Sequence, residues 1–446
     1  MQRGNRHLAR GDNIVRVDRR VRSMGRVAML SVHTSPLEQP GTGDAGGMNV
    51  YIVELARQLA ALGTKVEIFT RATSGSQPSA TDLAPGIVVR HVIAGPFEGL
   101  SKGELPSQLC TFAREVLRTE AAYEPGYYDL IHSHYWLSGH VGALARDRWG
   151  VPLVHSMHTM AKVKNGLLAV GDAAEPAARI IGEEQVVDAA DLILANTPAE
   201  SQQLIDLYGA SPARLRVVHP GVDLDLFSPG HRGAARARVG IERDAAVVLF
   251  AGRLQPLKAP DVVVRAAAVI AARRPDLRSR LVVPIIGGPS GPAGPGGATI
   301  EELADLAHRL GIGDVVRFLP PMSRTALVDY YRAASVVCVP SYNESFGLVA
   351  LEAQACGTPV VAARVGGLPT AVRDGVTGVL VEGHDPVDYA AAVETLLTDR
   401  PLLASMGRAG VEHALGFGWQ RTARETLDAY GDAVALMSGE SLAAAL

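Results

Sequence analysis

The chain lacks any apolar run long enough to cross a bilayer. A spanning helix needs about 18 or more apolar residues, and the longest candidate, Val262–Ala272, is broken by Arg265. A soluble protein is expected. A charge excess is also missing: the net charge is −3 over 446 residues, which removes the general attraction that nucleic-acid and membrane-surface binders rely on, local basic patches aside. Cysteine is scarce. Cys110, Cys338 and Cys356 lie far apart without metal-ligand spacing and read as buried thiols in a reducing cytoplasm. Residues 1–24 lack the apolar segment of a secretory signal, and their arginines (Arg3, Arg6, Arg10, Arg16, Arg19, Arg20, Arg22) mark a disordered leader outside the fold. Finally, the first apolar run lacks a tight strand–turn–helix connection: about fourteen residues separate it from the first helix, which disfavours a nicotinamide dehydrogenase.

What the chain does have is length for two domains and an ordinary balance of 47% hydrophobic and 20% charged residues. Strand–loop–helix alternation starts at Arg26. A buried parallel strand is expected over 27–33 and a helix over 49–62, with further strands near 65–70, 87–93, 129–133, 153–157 and 192–195 and helical stretches over 107–122 and 179–190. The alternation pauses at 218–223, passes through a polar, arginine-rich segment over 228–238, and restarts. Strands are expected at 246–251, 281–286, 315–318, 336–339, 359–362 and 376–381, with a helix over 259–274. The implied fold class is α/β, with two Rossmann-like doubly wound domains over 25–225 and 226–415 and a C-terminal segment, 416–446, whose helix could pack back across the boundary. Open α/β sheets bind ligands beyond the carboxyl ends of their strands, so the two domains should face a cleft. The Gly287–Gly297 stretch repeats collagen-like triplets too few for a triple helix and reads as a flexible loop.

Four stretches carry candidate chemistry. In Ser341–Glu352 a strand enters a polar loop and then a helix. Unpaired N–H groups at the helix start suit a diphosphate, and Glu344 and Glu352 suit sugar and ribose hydroxyls. By spacing alone an ordinary turn with two solvated glutamates fits at least as well. After the 246–251 strand come Arg253 and Lys258, either a diphosphate clamp or two solvated cations. Between the first strand and first helix runs the loop Gln39–Asn49, where Gly46 and Gly47 allow close approach to a ligand, unless it is only a long surface loop. Histidines sit at three strand ends of the first domain: His33; His132 and His134; His155 and His158. Their position puts them at the cleft, and the absence of His-x-x-x-His spacing or a nearby cysteine argues against zinc.

Taken together, Gly46-Gly47 before the first helix, Arg253 with Lys258, and the Glu344…Glu352 pair resemble the retaining, two-Rossmann-domain (GT-B) glycosyltransferases that include glycogen and sucrose-phosphate synthases, from Arg26 onward. A narrower resemblance lies in Gly46–Tyr51, His132–Gly139 and His158–Asn165. These are similar to the glycosyltransferases of mycothiol biosynthesis that move N-acetylglucosamine from UDP-N-acetylglucosamine to 1D-myo-inositol 3-phosphate.

That resemblance implies an acceptor-binding first domain with His33, Lys102, Tyr135, Thr159 and Arg179 on the inositol phosphate, a set suited to a phosphate dianion. It also implies donor contacts from Gln39, Pro40, Asp44, Gly46, Gly47, Met48 and Asn49, with Arg253 and Lys258 on the diphosphate and Met322 on uracil. Glu344 would take the sugar, Phe346, Gly347 and Leu348 the diphosphate side, and Glu352 the ribose. His158, Arg253, Lys258 and Glu344 are the implied catalytic residues, acting by front-face substitution with retention. Magnesium is implied at Tyr331, Arg332, Ala334 and Thr358; no organic cofactor, nucleic acid or membrane is expected, and a homodimer is left open. Alternatives are another nucleotide sugar and phosphorylated acceptor, as in sucrose-phosphate synthesis, or a UDP-sugar epimerase. The epimerase is disfavoured by the lack of an acid/base carboxylate pair in the first domain.

Overall fold

The computed structural model describes residues 24–169, 173–289 and 299–439. The leader up to residue 23 and the 290–298 part of the glycine-rich loop lie outside the described residues. The first sheet comprises β1 (Arg26–Ser31), β2 (Lys65–Arg71), β3 (Ala80–Ala84), β4 (Ile87–Val92), β5 (Leu130–His134), β6 (Leu153–Ser156), β7 (Leu192–Ala195) and β8 (Leu215–Val217), in the order β3-β4-β2-β1-β5-β6-β7-β8. Only β3 runs antiparallel to its neighbour. The second sheet, wholly parallel, has β9 (Ala246–Ala251), β10 (Leu281–Ile286), β11 (Val316–Leu319), β12 (Val336–Val339), β13 (Val360–Ala363) and β14 (Gly378–Val381) in the order β11-β10-β9-β12-β13-β14. Central strands such as β9 (AVVLFA) are buried along their whole length because helices cover both faces, hence their unbroken apolar runs. β3 and β8 escaped the sequence reading for the opposite reason: β3 (ATDLA) is a half-exposed edge, and β8 is three residues long.

The polar, arginine-rich segment holds a helix that the sequence pattern did not signal. Arg232–Arg238 is a helix, and Arg236, 5% exposed, donates to the carbonyls of Ala333 and Arg243 and to Ser335 Oγ. A guanidinium fits inside a domain when backbone carbonyls take its protons and its stem packs as apolar surface. A second correction concerns the thiols: Cys338 and Cys356 are buried, but Cys110 is exposed.

The chain crosses between the domains twice, and the crossings lie side by side. Val222 N donates to Phe417 O at 2.7 Å, and a Cβ on Gly221 would stand 2.6 Å from Trp419 N, so only glycine allows that approach. The helix Trp419–Met437 then joins the core of the first domain, where Trp419, Ala423, Tyr430 and Ala433 are buried with Val27, Ile52, Leu130 and Val154.

Candidate active site

β1 is flanked by β2 and β5, and β9 by β10 and β12, so in each sheet the connections diverge at that strand and leave a crevice beyond its carboxyl end. The two crevices meet in one cleft of about 320 Å³.

On the first-domain side, Pro40, Asp44, Gly46, Gly47 and Met48 line the cleft, but Gln39 and Asn49 do not. Asn49 is 1% exposed and its amide is spent within the loop: Oδ1 accepts from Gly46 N at 2.9 Å, and Nδ2 donates to Thr34 Oγ1 at 2.8 Å and to Ser35 O at 2.7 Å. It shapes the glycine loop and has no group left for a nucleotide sugar, which corrects the contact implied for it.

His33, Lys102, Tyr135 and Thr159 come together as the resemblance implied, around the Tyr135 ring. The His33 ring centroid lies 4.4 Å away, the Lys102 ammonium 4.6 Å and the Arg179 guanidinium 5.0 Å. Lys102 sits on an exposed loop yet brings its ammonium into the cleft. There desolvation, with the Arg179 and Arg253 guanidiniums, lowers its pKa to about 8, against the opposing pull of Asp44. Arg179 stands behind this wall, 6% exposed, and is already paired, with Glu183 at 2.8 Å and Glu175 at 2.9 Å. It also donates to Thr159 Oγ1 at 3.0 Å. Glu175 and Glu183 escaped the sequence reading, although both lie one helical turn from Arg179, at i−4 and i+4.

The histidines divide. His33 and His158 face the cleft, whereas His132, His134 and His155 do not line it. His132 bonds Tyr430 Oη at 2.8 Å and Ser156 Oγ at 3.0 Å, and His155 bonds Ser133 Oγ at 2.7 Å. Those three are interior groups, because their side chains leave β5 and β6 sideways into the core while the cleft opens beyond the strand ends. His158 Nε2 lies 3.0 Å from His134 Nδ1, and burial lowers the His158 pKa to about 3, so its imidazole is neutral.

On the second-domain side, Arg253 and Lys258 follow β9, and Glu344 follows β12. Lys258 Nζ donates directly to Glu344 Oε2, so these two form an ion pair, while the Arg253 guanidinium makes no ion pair among the described residues. Phe346, Gly347 and Leu348 line the cleft at the start of the Leu348–Ala355 helix, whose first amides have no side-chain cap. This loop is seated on Gly366 and Gly367: Cβ atoms there would stand 2.1 Å from Glu344 O and 2.4 Å from Phe346 Cα. Glu352 is 7% exposed, accepts from Tyr331 Oη at 2.9 Å and has its pKa raised to about 7 by burial. Arg324, also missed in the sequence, lines the cleft beside it. Among the described residues, the three non-glycine residues with positive φ, Tyr135 (71°), His158 (59°) and Ala259 (50°), are on or next to these walls. Each such conformation costs on the order of 1–3 kcal/mol and persists where surrounding contacts enforce it.

Two family models match the chain: "Glycosyltransferase Family 4" over residues 45–226 and "Glycosyl transferases group 1" over 232–413. The chain is 65% identical to the D-inositol 3-phosphate glycosyltransferase of Kribbella flavida, over 94% of this chain and 98% of that protein. It is 65% identical to D-inositol 3-phosphate glycosyltransferase 2 of Catenulispora acidiphila, over 92% and 95%. The chain belongs to the D-inositol 3-phosphate glycosyltransferase family. Among solved structures, sucrose-phosphate synthase from Thermosynechococcus elongatus superposes with a TM-score of 0.83 at 32% identity, covering 91% of this chain and 98% of that one. The fold of this glycosyltransferase is thus GT-B, two parallel-sheet domains facing a cleft.

In this glycosyltransferase Tyr331, Arg332, Ala334 and Thr358 gather where the Arg324–Ala333 helix ends, with Thr358 Oγ1 donating to Tyr331 O at 2.6 Å. Carbonyls at a helix C-terminus carry partial negative charge and suit a cation. Among the described residues no His, Cys, Asp or Glu cluster suits a metal, so magnesium here would rest on carbonyl and hydroxyl oxygens.

Proposed function

We propose that the protein transfers N-acetylglucosamine from UDP-N-acetylglucosamine to 1D-myo-inositol 3-phosphate with retention at the anomeric carbon, the first glycosylation of mycothiol biosynthesis. The observation that carries this reading is a single cleft with two phosphate-suited groups on opposite walls. Lys102, backed by Arg179, lies on one wall, and Arg253 with the open amides before Leu348 on the other. The names of the relatives supply the acceptor.

Transfer by front-face substitution needs no protein nucleophile. The bond from the anomeric carbon to the β-phosphate oxygen breaks, a bond to the acceptor hydroxyl oxygen forms on the same face, and the hydroxyl proton passes to the departing phosphate. Charge develops on the diphosphate, so Arg253, Lys258 and the amides of Gly347 and Leu348 act as its stabilisers, each well-placed donor worth about 3–4 kcal/mol. Donor entry would exchange the Lys258–Glu344 pair for Lys258 on phosphate and Glu344 on sugar hydroxyls. A neutral His158 can accept or donate a hydrogen bond at the sugar without adding charge. A magnesium ion on the carbonyls of Tyr331, Arg332 and Ala334 with Thr358 would brace the end of that helix, and no step passes through it.

UDP release from UDP-N-acetylglucosamine, with and without inositol 3-phosphate, tests the reading. Acceptor-dependent release is expected. An isomerised nucleotide sugar, or no reaction, would overturn it.

A further inference from the structure

Arg324 joins the two domains at the ribose end of the cleft. Its Nη1 donates to Glu54 Oε1 at 2.7 Å, and Glu54 belongs to the Gly47–Ala61 helix of the first domain. Its Nε lies 3.8 Å from Glu352 Oε1, beyond hydrogen-bond length, and has no other partner. The guanidinium is therefore drawn toward Glu54 and held just short of Glu352. The other Glu352 oxygen accepts from Tyr331, which leaves Oε1 with free lone pairs toward the cleft. Glu54 is 5% exposed, and its second cation, Arg57 at 3.3 Å, is half exposed. A carboxylate buried on one domain and paired with a guanidinium of the other is costly unless it has a task, since buried pairs gain little net stability.

We propose that Glu54 is a positioning residue for the nucleotide-sugar donor: by holding Arg324 across the domain boundary, it keeps Glu352 Oε1 open for the ribose hydroxyls. This rests on the reading that Glu352 takes the ribose. Without Glu54, Arg324 swings onto Glu352 and competes with the donor for the same oxygen. Ribose recognition is thereby tied to the two domains being together, since separating them breaks the Glu54–Arg324 contact.

The groups facing Glu352 are Arg324 and Tyr331 from one helix, Glu54 from the first domain, Asp223 from the interdomain crossing, and Cys356 on its own helix. Ribose hydroxyls donate to the ionised carboxylate, so UDP binding should strengthen as pH rises through about 7. Removing Glu54, a negative neighbour, lowers the Glu352 pKa and moves that profile to lower pH. Removing Arg324, a positive neighbour, moves it to higher pH.

Calorimetric titration of UDP into the full-length protein from pH 5.5 to 8.5, alongside steady-state kinetics, tests this. Glu54→Gln is expected to weaken UDP binding and raise the donor KM about five- to tenfold, with kcat, acceptor KM and melting temperature near wild type. Weaker UDP binding in Glu54→Gln at pH 8.5 that the added Arg324→Gln change restores supports positioning, because removing the competing guanidinium would not rescue a purely structural defect. If Glu352→Gln weakens UDP binding but Glu54→Gln leaves affinity and profile unchanged, the positioning role is overturned. If Glu352→Gln itself has no effect on UDP, the ribose reading fails first.

Discussion

A lysine whose pKa is lowered to about 8 makes acceptor binding pH-dependent within the working range. A phosphate dianion needs the ammonium form of Lys102, and the free site loses that proton as pH rises through about 8, so the acceptor KM should climb on the alkaline side. Lys102→Arg keeps the charge and should flatten the profile, while Lys102→Met should raise the acceptor KM about 10- to 100-fold at pH 7 with the donor KM little changed. Acceptor KM measured from pH 6.5 to 9.5 decides this; an identical alkaline rise in Lys102→Arg would remove Lys102 from the phosphate. Lys258 tests the opposite wall. Lys258→Ala should lower kcat about 10²- to 10³-fold with little loss of stability, and a stopped-flow or steady-state turnover close to wild type would sink its role. Because Lys258 neutralises Glu344, the Lys258→Met/Glu344→Gln double variant should lose less than the two single effects combined. Arg253, Lys258 and Glu344 were legible in the sequence because they follow strand ends, where the alternation pattern places ligands, whereas Lys102 on its loop and Arg179 inside a helix came only from the family resemblance. The pairings were not legible: Glu54 and Arg324 are 270 residues apart, and no local spacing records such a contact. Asn49 misled for a related reason, since a polar residue beside a glycine loop looks the same whether it faces a ligand or ties the loop together.

Elements tell a similar story at larger size. Fully buried strands such as β9 and β12 announce themselves as apolar runs bounded by polar loops, and their positions agree with the reading to the residue. The helix Arg232–Arg238 did not, because arginine in a sequence signals solvent, whereas here carbonyls of Ala333 and Arg243 hold Arg236 inside. The glycine pair after β13 was equally silent. Gly367 has an ordinary negative φ, so its requirement is space and not conformation. Gly367→Ala should push the Glu344–Phe346 loop off its seat, cost about 1–3 kcal/mol, and raise the donor KM about tenfold with the acceptor KM unchanged. Gly416→Ala, where nothing lies within 4 Å of the added Cβ, is the matched control. Equal melting temperatures and donor KM values for the two variants would show that the loop does not depend on this contact.

For the whole molecule, the buried histidines set how stability varies with pH. Burial lowers the pKa of His33, His132, His134, His155 and His158, the last two to about 3. An unfolded histidine titrates near 6.5. Above that pH both states are neutral and these groups cost nothing; as pH falls through 6.5 the unfolded chain takes up protons that the native state refuses, at about 1.4 kcal/mol per histidine per pH unit. Carboxylates work against this. Burial raises Glu200 and Glu352 to about 7 and Glu38 by a smaller step, so between pH 7 and 4.5 the native state holds protons that the unfolded chain has released. The histidines outnumber them, and unfolding near pH 5.5 should take up a net two to three protons or so. His132 binds Tyr430 on the C-terminal helix, so the loss extends from the first-domain sheet to the segment that returns from the second domain. Urea unfolding followed from pH 7.5 to 5 should show stability falling steadily below about 6.5. His155→Gln, which can keep the bond to Ser133, should reduce the slope by about one proton. A flat profile over that range would mean that these imidazoles are solvated or protonated in the native protein, and with it the neutral His158 assigned to the donor sugar would fall.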